Sequence, residues 1–213
     1  MPSRPQLSPP AELARRARLA IVALRACMLV NAMLLVAGLL AFAAVASDQT
    51  GAEMDWLFML QNGLATLVPL AIIVTAVFFL RWLYVARTNL DLVATQRPRN
   101  SRRWLMASWF IPLGNAWFAY EGTHEVWRLS GVYSGVAPRD AGRGVGWWWL
   151  AWTVYVAALS YASREDAFYS IPVAGALGTV SAWLAARVVA RLTERQQRML
   201  ADQFPPRHPD RRA

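Results

Sequence analysis

A chain of 213 residues in which 56% are hydrophobic and 16% charged is too apolar for an ordinary soluble domain. All 22 basic residues are Arg, and they outweigh 13 acids to give a formal charge of +9. The single Cys27 excludes an internal disulfide and a Cys-built metal site.

The chain opens on MPSRPQLSPP, a Pro-rich stretch read as a disordered tail over 1–10. Ser8 before Pro9, Pro10 and Glu12 is a helix-start pattern. Arg15, Arg16 and Arg18 then precede an apolar run, as in a signal peptide. The run is too long for a signal h-region, so it reads as a retained membrane helix.

A helix needs about 20 mostly apolar residues to cross the hydrocarbon core. Charged residues cut the chain into five windows: Arg25 to Asp48, Asp55 to Arg81, Arg103 to Glu121, Arg143 to Arg164, and Asp166 to Arg187. Four are long enough to span, which predicts crossings over about 26–47, 56–80, 145–163 and 167–186. The third leaves 17 residues, 104–120, and Pro112, Gly114 and Asn115 interrupt it.

The arginines decide whether that third window crosses. Arg15, Arg16, Arg18 and Arg25 put the N-terminus in the cytoplasm, and SDQTGAEMD, without a basic residue, follows the first crossing. Arg81, Arg87, Arg97, Arg99, Arg102 and Arg103 follow the second and are cytoplasmic. A crossing at 104–120 would put Arg128, Arg139, Arg143, Arg187, Arg191, Arg195 and Arg198 outside. Without it, Arg164 is the external exception. The sequence therefore predicts an all-α membrane protein with four transmembrane helices, both termini cytoplasmic, and a Trp-rich re-entrant or interfacial helical segment at about 104–130 on the cytoplasmic side. The helical membrane domain covers 11–201, and 202–213 is a disordered tail. Because the arginines flank membrane segments on one side, topology accounts for the charge and nucleic acid is not an expected partner.

Within the spans, Asn31, Gln61, Asn62, Thr66 and Thr75 are polar but not ionisable, and helix packing is the plain account of them. Pro69 and Pro172 are candidate kinks.

After Asn115 the pattern turns helical. Glu121, His124, Glu125 and Arg128 recur at spacings that place them on one face, as on an amphipathic helix lying in the interface. Glu121-x-x-His124 also has the spacing used by di-iron bundles, which makes Glu121, His124 and Glu125 the metal candidates. Such sites need a second motif and further glutamates that the spans lack, so no cofactor and no catalytic residue is expected. Trp104, Trp109, Trp117 and Trp127 favour a place near the headgroups. Arg187, Arg191 and Arg195 recur every four residues on the last helix and suit anionic lipid headgroups.

The block FLRWLYVARTNL at 79–90, WFIP at 109–112, NAW at 115–117 and EVWRLS at 125–130 resembles the DUF4328 family of bacterial multi-pass membrane proteins of unknown function. Trp82, Arg87, Asn89, Trp109, Pro112, Asn115, Trp117, Tyr120, Trp127 and Arg128 carry the resemblance. Ala119 stands where the family usually has a Pro before the Tyr. The resemblance implies a bacterial membrane protein and supplies no substrate.

These residues define an expected platform in the cytoplasmic leaflet, made of Arg87, Asn89, Trp109, Pro112, Asn115, Trp117, Tyr120, Trp127 and Arg128. Arg87 is expected to pair with Glu121 or Glu125, and Asn89 to satisfy backbone groups freed at the Pro112 break. The expected function is that of a membrane-embedded interaction or scaffold protein in the bacterial inner membrane. Its expected partners are the bilayer, anionic headgroups, and a second copy or another membrane protein. A small transporter or channel gated by the re-entrant segment is the alternative, and an enzyme is the weakest class.

Overall fold

The computed structural model describes residues 10–47, 51–95, 98–111, 114–135, 143–164 and 168–203. Ser8 and Pro112 lie outside them, as do most of the two expected tails, although Pro10 is already helical and the last helix reaches Gln203.

Among the described residues the secondary structure is helical, without a strand. Helix α1 is Pro10–Ala46, α2 Ala52–Val93, α3 Arg102–Ala107, α4 Tyr120–Tyr133, α5 Arg143–Ala162 and α6 Ile171–Gln203. Three of them, α1, α2 and α6, hold stretches long and apolar enough to cross a membrane. Their 37, 42 and 33 residues correspond to about 50–60 Å each, well beyond the ~30 Å hydrocarbon core. The fourth predicted crossing falls on α5, whose 20 residues have the length. Four Trp and two Tyr dilute its aliphatic content. Gly51, at φ 96°, precedes α2, and no other described residue crowds the position its Cβ would take. Its conformation, and not crowding, explains the glycine there.

The third window is broken, as its Pro, Gly and Asn predict. Its pieces are α3, a 3-10 turn over Ser108–Phe110, a π-helical turn over Asn115–Ala119, and α4 of 14 residues. The 3-10 turn follows α3 directly and leaves 102–110 too short to span. The π-helical turn runs straight into α4, and the continuous helix 115–133 carries Glu121, Glu125 and Arg128 where a span needs an uncharged run.

Contacts gather the chain into two compact units, and α1, α2 and α6 each give residues to both. The first consists of the described parts of 1–18, 80–145 and 189–213. Its core is Trp82, Leu83, Leu90, Leu105, Trp127, Leu192 and Met199, all nearly inaccessible. Gly122 allows α3 and α4 to approach closely: a Cβ there would stand 2.4 Å from Leu105 Cδ1.

The second unit is Leu19–Phe79 with Gly146–Val188. Leu34, Ala37, Leu64, Val68 and Tyr155 form its core, with Val30, Leu60, Ile72, Trp152, Leu159 and Leu177 packed around them. α1 and α6 meet backbone to backbone at Gly175, where a Cβ would stand 2.6 Å from Leu35 N, and Gly178 lies against the Asn31 side chain, where a Cβ would stand 2.1 Å from Oδ1. Small residues at such crossings are how membrane helices gain packing without a solvent-driven force. Buried Asn31 donates Nδ2 to Cys27 O at 2.9 Å, and Thr75 donates to Ala23 O at 3.2 Å, joining α2 to α1. Cys27 is itself buried. The outer faces of these helices are apolar: Val22, Leu29, Val36 and Leu39 are exposed on α1, and Leu70 and Ile73 on α2.

Candidate functional site

The residues singled out above fall in the first unit, and they divide into a buried set and an exposed set. The buried set is anchored on the last turns of α2. Trp82, Ala86, Arg87, Asn89 and Leu90 are all buried there, so this part of α2 is enclosed almost all round. A charged residue in such surroundings needs compensation. Arg87 finds it in Asp91, one turn on, and in the carbonyl of Asn100, to which Nη2 donates at 2.6 Å. Asp91 also receives Arg102 Nε at 3.1 Å, so one carboxylate bridges two guanidinium groups.

Arg87 was expected opposite Glu121 or Glu125. Those carboxylates instead hold the start of the segment leading into α3. Glu125 accepts the backbone N–H of Arg99 at 2.6 Å and of Asn100 at 3.5 Å, and Glu121 pairs with Arg99 Nη1 at 3.2 Å. The stretch 99–102 is thus clasped from both sides, by Arg87 and Asp91 of α2 and by two glutamates of α4. Ser101 caps α3 by accepting from Trp104 N at 3.1 Å.

Asn89 was expected at the Pro112 break. Pro112 lies outside the described residues, and among them Asn89 belongs to a polar network centred on α6. Gln196, fully buried, donates Nε2 to Ala86 O at 2.7 Å and to Ser130 Oγ at 3.0 Å, and its Oε1 receives Asn89 Nδ2 at 3.5 Å. Trp82 Nε1 donates to Thr193 Oγ1 at 3.0 Å. Arg195 stacks over the buried Trp127 ring at 4.2 Å from its centroid. Gln196, Thr193, Trp82 and Ser130 join α2, α4 and α6, and none of them was a predicted site residue. The signal was present in α6: Val189, Leu192, Thr193, Gln196, Met199 and Leu200 are buried at helical spacing. Arg187, Arg191 and Arg195 do not form one free basic face, because Arg195 covers Trp127 and Arg187 stacks over Trp183 at 4.0 Å.

The exposed set lies on the broken segment. Phe110 is 75% exposed, Trp117 69% and Trp104 41%, and Trp104 meets Phe118 edge-on with ring centroids 5.6 Å apart. Trp109, Asn115 and Tyr120 are half-buried, and Arg128 is exposed. The structure therefore brings Arg87, Asn89 and Trp127 into the interior of the unit and turns Trp117 and Arg128 outward. Pro112 is outside the described residues.

On α4, His124 lies with its ring centroid 5.6 Å from that of Tyr120. Burial, and secondarily the charge of Arg128, hold its imidazole below the ordinary histidine pKa. Among the described residues no group of three or more His, Cys, Asp or Glu is placed to hold a metal ion. Glu121 and Glu125 serve the 99–100 backbone and Arg99.

No curated protein and no solved structure matches the chain. Residues 44–197, well over half of it, match the family described as Domain of unknown function (DUF4328). With its long apolar helices and broken aromatic segment, the chain belongs to the DUF4328 family.

Proposed function

We propose that this protein is a membrane-embedded interaction protein. It spans the bacterial inner membrane four times with both termini cytoplasmic, and it presents the segment at about 104–130 as an aromatic and basic platform at the cytoplasmic headgroup layer. The observation that carries the reading is the exposure of Trp104, Phe110 and Trp117 on an interrupted segment whose first helical part is short and whose second carries Glu121, Glu125 and Arg128. Large aromatic side chains left uncovered together mark a surface meant for a membrane interface or a partner. The exposed Arg103 and Arg128 supply charge for anionic lipid headgroups. The fourth crossing is α5, about 30 Å long, and the arginine distribution sets the orientation.

Topology is tested with single cysteines and a membrane-impermeant maleimide on intact cells. Ser163→Cys, between α5 and α6, is labelled from outside, whereas Ser134→Cys, at the end of α4, is labelled only after the cells are opened. Labelling of both from outside overturns the orientation. The platform is tested with spin labels at Phe110→Cys and Trp117→Cys in anionic vesicles. Collision with oxygen exceeding collision with a water-soluble nickel complex supports interfacial burial. Full access to the nickel complex overturns it. Photo-crosslinkers at the same two positions in cells give a discrete protein adduct if the platform holds a protein partner; adducts with lipid alone remove that partner from the reading.

A further inference from the structure

Four Ser and Thr hydroxyls on the membrane helices of the second unit are satisfied within their own helices. Thr66 donates to Asn62 O at 2.9 Å, Thr153 to Trp149 O at 2.9 Å, Ser160 to Val156 O at 2.8 Å, and Thr179 to Gly175 O at 2.8 Å. Asn62 departs from this pattern. The residue is exposed on α2, and among the described residues it is its backbone carbonyl, not its carboxamide, that takes part in a hydrogen bond, from Thr66. It lies six residues past the exposed Trp56, about 9 Å further along the helix axis, within the apolar stretch beginning at Met54. An amide at that depth has no water to turn to, and Asn is too short to reach the headgroups.

The residues around it form a seam. Met59, Gly63, Thr66, Leu70, Ile73 and Val77 alternate at spacings of four and three along α2, and all six are exposed. This is the repeat by which one helix lies along another. Among the described residues a Cβ at Gly63 would meet nothing within 4 Å, so the seam is open beside the amide.

We infer that the occupant of this seam is a second copy of the chain, held in a symmetric dimer centred on Asn62. A carboxamide has both donor and acceptor, so two of them satisfy one another in a reciprocal pair. Copies inserted in the same orientation carry Asn62 at the same depth. A two-fold axis along the membrane normal brings each Asn62 to its counterpart, whereas a different partner would need its own polar group at that level. Gly63 lets the two backbones approach, and Thr66, already bonded to its own helix, adds no unmet group. This inference rests on the membrane character of α2 and is independent of the aromatic platform, whose failure would leave it standing.

The test is resonance energy transfer between donor- and acceptor-labelled full-length chains in lipid vesicles, diluted with added lipid. The wild-type chain dimerises, and Asn62→Leu raises the dissociation constant about ten-fold. Asn62→Gln, which keeps the carboxamide, recovers most of the loss. Gly63→Leu adds its bulk in open space on the monomer, leaves the fold intact, and weakens the dimer as well. In membranes that retain Asn62, Met59→Cys and Ile73→Cys form disulfide-linked dimers on mild oxidation, while Val36→Cys on the exposed face of α1 does not. A wild-type chain that stays monomeric at every lipid dilution overturns the inference. So does a dimer of equal strength in Asn62→Leu and Gly63→Leu, or cross-linking at Val36 with none along the seam.

Discussion

Gln196 donates its side-chain amide to the main-chain carbonyl of Ala86 at 2.7 Å, across 110 positions of sequence. The Ala86 carbonyl belongs to a helical turn, so the bond adds a second donor to an oxygen inside the protein, and the same amide nitrogen reaches Ser130 of α4. One side chain thus joins three helices.

Replacing it separates burial from bonding. Gln196→Leu keeps the volume and leaves Ser130 and Asn89 without this partner, at a cost of about 1–3 kcal/mol. The neighbouring Gln197 is exposed, and Gln197→Ala is expected to be within about 0.5 kcal/mol of wild type. Thermal unfolding of the purified protein in mild detergent measures both. Equal midpoints for the two variants would show that the network contributes nothing.

Asp91 holds two guanidinium groups, one of them on a residue only 3% exposed. Asp91→Asn leaves Arg87 charged and enclosed with the Asn100 carbonyl, and the expected loss is about 3 kcal/mol. Hydrogen exchange of the amides at 98–102 rises before that of α4, because the clasp from α2 is released while Glu125 still holds its two N–H groups. Unchanged protection at 98–102 would assign the segment's order to α4 alone. Arg87→Lys is not a neutral exchange, since one ammonium cannot reproduce the two directed bonds to Asp91 and Asn100.

The pH response follows from His124. Its folded pKa is lowered, first by burial and then by Arg128, so the unfolded chain binds the proton more readily. The stabilisation is complete above the unfolded value of about 6.5 and declines as pH falls from there through the folded value. The unfolding midpoint is therefore expected to drop as pH falls below about 6.5, and His124→Asn should flatten that part of the profile. A variant whose profile runs parallel to wild type would remove His124 as the source.

Gly178 packs against the Asn31 amide and the Tyr155 ring, and a Cβ would stand 2.1 Å from Asn31 Oδ1 and 2.7 Å from Tyr155 Cε2. Gly178→Ala is expected to cost about 1–3 kcal/mol through overpacking, even though alanine favours a helix. Pairing it with Asn31→Ala opens space, and the double variant should recover part of the loss. An additive double variant in the detergent unfolding assay would place the strain elsewhere.

Much of the architecture is legible in the sequence because hydrocarbon imposes one simple rule, a long run without charge. The windows 26–47, 56–80 and 167–186 reappear in helices of spanning length, and Gly114 stands where the helical course of the third window is interrupted, just before the turn that begins at Asn115. The contacts of the site were harder to read. Arg87 was expected to pair with Glu121 or Glu125, but the local Asp91 takes it because a partner one helical turn away needs no loop to be ordered first. Gln196 was hidden in RLTERQQRML, where the frequency of arginine suggests a wet surface. Its meaning lies in spacing, since the buried residues of that stretch form a stripe between the charges, and Arg195 itself lies flat on a tryptophan.

The thiol of Cys27 gives the protein a built-in clock. It is the single sulfhydryl of the chain, and it lies enclosed on α1 with the Asn31 amide 3.6 Å from its sulfur. A membrane-permeant thiol reagent in excess can modify it only when α1 opens around that point, so the reaction rate reports the frequency of that opening. Followed by mass, the untagged wild-type protein thereby reveals how often the interior of a membrane helix bundle breathes, without an engineered probe.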